Sequence, residues 1–182
     1  MTITHPSDLS DLSTEPIAIF SPDTAGPDAR GRYRYTLWRR DLNHGATDYL
    51  QFIALNPSTA DEHQDDPTVL RCWKRAQRMG YGSFVMTNLF ALRATDPKVM
   101  LAHPAPVGPD NTHHILRLAK DAAMIILAWG KQTPAVHAHS LELCESLRTF
   151  GLYHKVHVLA QCSDGTPRHP LYLRNNLTPY KP

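Results

Sequence analysis

The sequence predicts an α/β fold with three layers (α/β/α), in which helices cover both faces of a four-stranded parallel sheet. Two observations support this prediction. From Leu50 onward, short apolar segments alternate with longer amphipathic segments, and the links between them are short. Each apolar segment ends at a polar or turn-forming residue, which is typical of buried strands in a parallel sheet. A further pair of strands near the N-terminus is expected to be antiparallel and to lie at the sheet edge.

The N-terminal part of the chain is expected to be a flexible tail followed by this strand pair. Residues 1–16 mix Thr, Ser, Asp and Pro without a basic start or an apolar run, so they do not resemble a secretory signal. Residues 17–182 are predicted to form a single α/β domain. Within it, residues 17–20 and 33–38 are the expected strands, and the Pro- and Gly-rich segment 22–31 is the turn between them.

The first parallel strand and the first helix are delimited by prolines. The apolar run 50–55 predicts a strand that stops before Pro57, because proline has no N–H to donate to the sheet. Asp66 directly precedes Pro67, a pair that predicts a helix N-cap with proline in the first turn. The helix is expected to continue to Met79. By the same periodicities, we expect strands at 83–88, 123–128 and 155–160 and helices at 110–121 and 133–150.

Composition excludes several classes of protein. Hydrophobic residues make up 42% of the 182 residues and charged residues 20%, as in globular rather than disordered chains. The longest apolar stretch, 122–129, is much shorter than the roughly 20 residues of a membrane-spanning helix, so no membrane partner is expected. Three cysteines without a CxxC pattern are typical of a reducing compartment, which predicts a cytoplasmic location. The oligomeric state stays open.

The sequence contains no standard metal or phosphate-loop motif. CxxC and HExxH are absent, and His137 and His139 would face different sides of a helix, so we expect no metal. Glycine-rich nucleotide loops are also absent, so we expect no cofactor. The net charge of +2 is mild, which leaves a nucleotide as well as DNA possible as partner. Arg39 and Arg40 lie near the aromatic residues between Tyr33 and Trp38, and this arrangement favours DNA over a free nucleotide as partner. A basic set at helical spacing is interpreted as a solvated face: Arg71, Lys74, Arg75 and Arg78.

Candidate site residues follow the ends of the predicted strands. Asn56 and Asn88 each end a strand, and the carboxyl ends of parallel strands share one edge of a sheet. A carboxamide can hold a water molecule, and its donor and acceptor suit the edge of a nucleobase. Either Asn can instead cap its own loop. Asp61 is the candidate general base nearest to Asn56, or else a solvated loop carboxylate. His169 can stabilise an oxygen that gains negative charge, although an isolated His-Pro pair often has no function.

Seven segments of the chain resemble a bacterial and phage domain family of unknown function (domain of unknown function 1643). The resemblance extends from about Arg32 to near the end of the chain and names no reaction. The segments are Leu55-Asn56-Pro57-Ser58-Thr59-Ala60-Asp61, Asp66-Pro67-Thr68, Gly80-Tyr81-Gly82, Asn88-Leu89-Phe90-Ala91-Leu92-Arg93-Ala94-Thr95, Pro106-Val107-Gly108, Ala128-Trp129-Gly130 and Arg168-His169-Pro170-Leu171-Tyr172.

More distantly, the chain resembles the uracil-DNA glycosylase superfamily. Its members carry a Gly-x-Asn-Pro or Gly-x-Asp-Pro loop, a base-reading Asn at a strand end, a Trp-Gly segment and a His-Pro loop. The corresponding segments here occur in the same order: Ala54-Leu55-Asn56-Pro57, Thr87-Asn88, Ala128-Trp129-Gly130-Lys131 and His169-Pro170. This resemblance implies a uracil-DNA glycosylase-like version of the predicted fold.

The same resemblance implies a set of roles. Asn56 would position the attacking water, Asn88 would read a base extruded from DNA, and His169 would support the base oxygen as the glycosidic bond breaks. The implied activity is that of a DNA glycosylase-like N-glycosidase on a modified, mismatched or damaged base. The expected phosphate contacts are Ser58, Arg168, Arg39 and Arg40.

Three departures from the superfamily pattern bear on activity. Ala54 and Ser58 replace glycines, and Leu171 replaces the serine expected after His-Pro. Asn56 in place of an acid predicts slow chemistry unless Asp61 helps. Two other functions therefore stay open, a noncatalytic module that binds nucleic acid or nucleotides and an N-glycosidase for free nucleosides or nucleotides.

Overall fold

The structure is a computed structural model that describes residues 15–28, 30–45, 47–130 and 133–182. The strands are β1 (Ala18–Phe20), β2 (Arg34–Arg40), β3 (Tyr49–Ala54), β4 (Ser83–Asn88), β5 (Met124–Leu127) and β6 (Val156–Val158). The α-helices are α1 (Pro67–Arg78), α2 (Pro97–Ala102), α3 (Asn111–Asp121) and α4 (Pro134–Thr149). Short 3₁₀ turns lie at Tyr153–Lys155 and Pro170–Tyr172.

The strands form one mixed sheet in the order β1-β2-β4-β3-β5-β6. Strands β3, β4, β5 and β6 are parallel, and β1 and β2 extend the sheet in antiparallel pairing beside β4. The predicted α/β class, with a parallel core and an antiparallel pair at its edge, is confirmed. The connection that follows β3 runs through α1 on one face of the sheet, and the connection that follows β5 runs through α4 on the opposite face. Between these two neighbouring strands lies the switch point where open α/β sheets bind ligands.

The core lies on both faces of the sheet. One face packs Tyr49 and Ile53 of β3 against Ile115 of α3 and Leu143 of α4. The opposite face packs Phe52 and other β-strand residues against Val69, Cys72 and Ala76 of α1. The α1 cap forms as predicted, since Asp66 Oδ1 accepts hydrogen bonds from the backbone N–H groups of Thr68 and Val69. The helices thus form layers on either side of the sheet.

Helix α2 is absent from the sequence prediction. Asp96 caps it and Pro97 occupies its first turn, the same start signal as at α1. Six residues are too few to show a helical period, which is why the pattern is not visible in the sequence.

Most of the predicted tail, residues 1–14, lies outside the described residues, as does Lys131. Within the predicted tail, Glu15 forms an ion pair with Arg117 of α3 at 2.8 Å. None of the helices that the structure describes has the length and apolarity needed to cross a membrane.

Candidate functional site

A cavity of about 460 Å³ lies at the carboxyl edge of the parallel strands. Asn56 follows β3, Asn88 ends β4 and Gly130 follows β5, and all line this cavity together with His169. Ser58 and Trp129 line it as well. The structure therefore brings the predicted water-holding, base-reading and imidazole residues into one cavity, although more than 100 residues separate Asn56 from His169.

Backbone hydrogen bonds join the two loops that carry the asparagines. Beyond the ends of the strands, Leu89 N–H donates to the carbonyl of Ala54 at 2.8 Å, and Phe90 N–H donates to that of Leu55 at 2.9 Å. Farther along the chain, Ala94 N–H donates to the carbonyl of Pro57 at 3.0 Å. The segment after β4 therefore runs beside the segment after β3 and forms part of the cavity wall.

The amide of Asn56 has a defined orientation. Its Nδ2 donates to the carbonyl of Ala94 at 2.7 Å and to that of Pro57 at 3.0 Å. Because both partners are carbonyls and can only accept, the amide atom that faces them must be Nδ2. The remaining amide atom, Oδ1, has no hydrogen-bond partner among the residues that the structure describes. An unpaired Oδ1 in a cavity can accept a hydrogen bond from a water molecule.

Asn88 is held by an arginine. Its Oδ1 accepts a hydrogen bond from a terminal nitrogen of Arg34 at 3.4 Å, and its backbone carbonyl accepts one from Asn111 Nδ2 at 2.8 Å. A guanidinium can only donate, so the oxygen of the Asn88 amide must face Arg34. Nδ2 is then the group left for a ligand. The sequence leaves either amide orientation possible, and the contact with Arg34 decides between them.

His169 is a neutral donor in this environment. Burial lowers the pKa of its imidazole below the usual 6.5, an effect that the charge of Asp66 opposes. Nδ1 accepts a long hydrogen bond from the backbone N–H of Leu171 at 3.4 Å. The proton of the neutral ring therefore lies on Nε2, which can donate to an oxygen in the cavity.

Gly130 positions the His169 loop against the end of β5. Its N–H donates to the carbonyl of Pro167 at 3.0 Å, and its φ of +83° lies in the left-handed region. A Cβ at this position would lie 2.9 Å from Cβ of His169. Only glycine meets both requirements without displacing the imidazole.

We expect Gly130→Ala to destabilise the fold by about 1–3 kcal/mol and to displace His169. Gly151→Ala is the matched control, since Gly151 also has a positive φ but an added Cβ there meets no atom within 4 Å. Urea denaturation of both variants, with NMR of the His169 ring, measures the two effects. An unchanged His169 signal in the Gly130 variant would show that the contact does not position the ring.

An arginine of α1 anchors the segment that follows His169. Arg75 is 1% exposed and donates hydrogen bonds to the carbonyls of Pro170, Leu173 and Arg174 at 3.1, 2.8 and 3.1 Å. The interpretation of the basic α1 residues as a solvated face is therefore wrong for Arg75. Helical spacing alone does not reveal which side of α1 meets the C-terminal segment.

Asp61 does not line the cavity. Its carboxylate pairs with Arg30 at 2.8 Å and accepts hydrogen bonds from the backbone N–H groups of His63 and Gln64. The bond to Arg30 is the main reason that the pKa of Asp61 falls to about 2. A carboxylate stabilised in its ionised form in this way is a poor proton acceptor, and the structure does not bring it to Asn56 in the cavity.

Asp66 is the carboxylate that lines the cavity. Its Oδ1 caps α1, at 2.9 Å from the N–H of Thr68 and 2.8 Å from that of Val69. Its Oδ2 has no hydrogen-bond partner in the described ranges. The sequence pattern explains Asp66 fully as a cap, so only the tertiary structure reveals a second oxygen that can accept a proton from water.

The predicted phosphate contacts divide into two groups. Arg39 donates to Asp65 at 2.7 Å and to the carbonyl of Asp61 at 2.8 Å, and Arg40 donates to the carbonyl of Glu15 at 2.7 Å. Both side chains therefore have hydrogen-bond partners within the protein. Ser58 lines the cavity and Arg168 is exposed beside His169, so both have positions where a ligand can reach them.

Comparison with known proteins finds one matching family, whose description names no reaction. A family model described as "Protein of unknown function (DUF1643)" matches residues 34–171. Neither the curated proteins nor the solved structures give a significant match to the chain. The resemblance to uracil-DNA glycosylases thus stays an expectation. In the described part of the chain, no group of three or more His, Cys, Asp or Glu side chains is placed to hold a metal ion.

Proposed function

Since the chain belongs to the DUF1643 family, for which no reaction is described, we propose its function from the cavity: an N-glycosidase, similar to DNA glycosylases, that acts on a modified, mismatched or damaged base. One observation supports this proposal above others. Asn56, Asn88 and His169 line the same cavity at the carboxyl edge of the sheet. They supply an acceptor for water, a donor for a base carbonyl and a donor for a second base oxygen.

The size and walls of the cavity suit a nucleobase. Its volume of about 460 Å³ falls within the range of small-molecule sites, roughly 300–1,000 Å³. Trp129, Met86 and Leu101 contribute apolar surface that can contact the faces of a heterocycle. Tyr172, which is 77% exposed, also lines the cavity, with its ring centroid 5.8 Å from that of His169. An exposed aromatic ring beside the cavity offers a stacking surface for a base or its neighbour.

The reaction that we propose needs one water and no external oxidant. The glycosidic C–N bond breaks with its electron pair going to the base, whose oxygens receive hydrogen bonds from His169 Nε2 and Asn88 Nδ2. Water held by Asn56 Oδ1 attacks the sugar carbon, and the Asp66 carboxylate accepts the proton that the water loses. The products are a sugar hydroxyl and the free base, which takes up a proton after it leaves.

A second substrate class is supported by the arginines of β2. Arg39 and Arg40 are hydrogen-bonded within the protein and are not presented to a polymer. This observation favours a free nucleoside or nucleotide over DNA as the molecule that carries the base. A noncatalytic base-binding module would use the same cavity without releasing a base.

A screen for free base separates these possibilities. The protein is incubated with single- and double-stranded oligonucleotides bearing varied modified pyrimidines and purines, and in parallel with the matching nucleosides and nucleotides. Released base is detected by mass spectrometry. Release from oligonucleotides supports a DNA glycosylase, and release from nucleosides or nucleotides alone supports the second class. Binding without release in every arm would refute the enzymatic proposal.

We expect Asn56→Ala to lower the rate of base release by about 10²-fold, because the attacking water loses its positioning acceptor. Substrate binding should change little, since Asn56 holds the water and the base contacts of Asn88 and His169 remain. Asn176→Ala, at an exposed asparagine, serves as the control. Release by the Asn56 variant at the control rate, measured in single-turnover assays, would count against the assigned role.

A further inference from the structure

A buried arginine without a carboxylate partner lines the cavity. Arg34 is 2% exposed, and in the described parts of the chain no carboxylate lies within ion-pair distance of its guanidinium. Arg93 shows the usual alternative in the same protein. It is 9% exposed and forms a bidentate ion pair with Asp28 at 2.7 and 2.8 Å. Arg34 and Arg93 therefore differ in whether the protein itself supplies the counter-ion. Arg75, a third buried arginine, also lacks a carboxylate partner, but it donates to three backbone carbonyls and does not line the cavity.

The hydrogen bonds of Arg34 leave donor capacity unused. One terminal nitrogen donates to the carbonyl of Ala60 at 2.6 Å and the other to Asn88 Oδ1 at 3.4 Å. Its Nε is buried and has no partner among the described residues. Burial lowers the pKa of Arg34 to about 10, so the group still carries its positive charge near neutral pH.

The surrounding charges do not neutralise Arg34. Asp66 and Asp61 stabilise its charge from a distance, whereas Arg93 and Arg39 oppose it. His169, which lines the cavity together with Asp66 and Tyr172, is neutral because burial lowers its pKa. A buried charge that lacks a partner is costly, and a bound anion would remove that cost.

We propose that Arg34 is the counter-ion for a negatively charged nucleobase, so that the cavity binds an imide-type base, with an N–H between two carbonyls, as the anion that has lost the proton of its glycosidic nitrogen and spreads the charge onto its carbonyl oxygens. The identity of the ligand rests on the proposed function, in which the base leaves with the electron pair of the glycosidic bond. Arg34 then selects bases that carry a negative charge well. Bases with an exocyclic amine in place of one carbonyl are disfavoured.

The chemistry of the wall favours this anion over a phosphate. Ala54, Val69 and Met86 give the cavity apolar surface beside Arg34. An imide anion spreads one charge over a flat ring and loses little hydration there, whereas a phosphate dianion is strongly hydrated. The carboxylate of Asp66 in the same wall also repels a dianion more than a monoanion.

Calorimetric titration with free bases tests the proposal without need for a substrate. The probes are uracil, its more acidic analogue 5-fluorouracil, and inorganic phosphate. At a pH below the ring N–H pKa of both bases, we expect affinity to rise about tenfold for each unit by which the analogue's pKa is lower. Binding should also release a proton, so the measured heat should depend on the ionisation enthalpy of the buffer.

Two variants assign the effect to Arg34. Arg34→Gln is expected to lose at least about tenfold in affinity for 5-fluorouracil, together with proton release. Arg34→Lys keeps the positive charge and should keep the order of the ligands. If Arg34→Gln does not fold, two measurements on the unmodified protein still test the proposal. They are its relative affinity for the two bases and the release of a proton on binding.

The remaining outcomes separate this proposal from the proposed function. Equal affinity for the two bases, absence of proton release, or failure of either base to bind would overturn the anion proposal. Base release in the oligonucleotide or nucleoside screen would stand even then. Tighter binding of phosphate than of 5-fluorouracil would also overturn it. Tighter binding of the more acidic base without any base release would support the role of Arg34 as counter-ion and refute the enzymatic activity.

Discussion

Asp66→Asn is expected to slow base release by about 10²–10⁴-fold, the usual contribution of a general base. Asparagine caps a helix as well as aspartate does, because its Oδ1 can accept the same hydrogen bonds from Thr68 and Val69. The change therefore removes the proton acceptor at Oδ2 and leaves α1 intact. Single-turnover rates of base release, measured with circular dichroism of the same samples, test this expectation.

Asp61→Asn is the matched control for this experiment. Asp61 pairs with Arg30 and does not line the cavity, so its loss should leave the rate within a few-fold of the original. Fast release by the Asp66 variant and slow release by the Asp61 variant would reverse the assignment of the base. That result would restore the interpretation made from the sequence alone.

Arg75→Met is expected to lower the free energy of unfolding by about 3–5 kcal/mol, because three hydrogen bonds from a charged donor are lost. The variant keeps much of the aliphatic stem but removes the hydrogen bonds from Arg75 to the carbonyls of Pro170, Leu173 and Arg174. The Leu173 carbonyl keeps its bond from Arg71 at 2.9 Å, and the Pro170 carbonyl keeps only the long bond from Leu173 N–H at 3.3 Å. These carbonyls belong to the segment after His169, so base release should fall as well. Urea denaturation measures the first effect and the release assay measures the second.

Arg78→Met, also on α1, distinguishes the anchor from a general effect of charge. Arg78 is exposed, and its replacement should change stability by no more than about 0.5 kcal/mol. Equal losses in the two variants would mean that the carbonyl contacts of Arg75 contribute nothing specific. A large loss of stability in the Arg75 variant with unchanged base release would show that the His169 loop does not depend on this anchor.

The cavity depends on side chains whose surroundings fix one hydrogen-bonding face. The carbonyl of Ala94 orients Asn56, Arg34 orients Asn88 and the N–H of Leu171 sets the proton position of His169. Each of these contacts leaves one group, Oδ1, Nδ2 or Nε2, available to a ligand. Preorganised donors and acceptors of this kind need little reorganisation during a reaction.

The positions of the main secondary-structure elements could be predicted closely from the sequence. The run 50–55 corresponds to β3 at Tyr49–Ala54, and 83–88 corresponds to β4. Buried strands and amphipathic helices leave a local periodic record because each residue's exposure follows from its place in the element. Helix α2 leaves no such record because it is shorter than two helical turns.

The sequence by itself determined the α/β class and the location of Asn56 and Asn88 at strand ends, because both follow from local patterns along the chain. Only the tertiary structure decided that Asp66 lines the cavity while Asp61 pairs with Arg30. It also decided that Arg34 and Arg75 are buried. The physical reason is that the partner of a charged side chain depends on which distant segments pack beside it. Residue type and spacing carry no record of that packing.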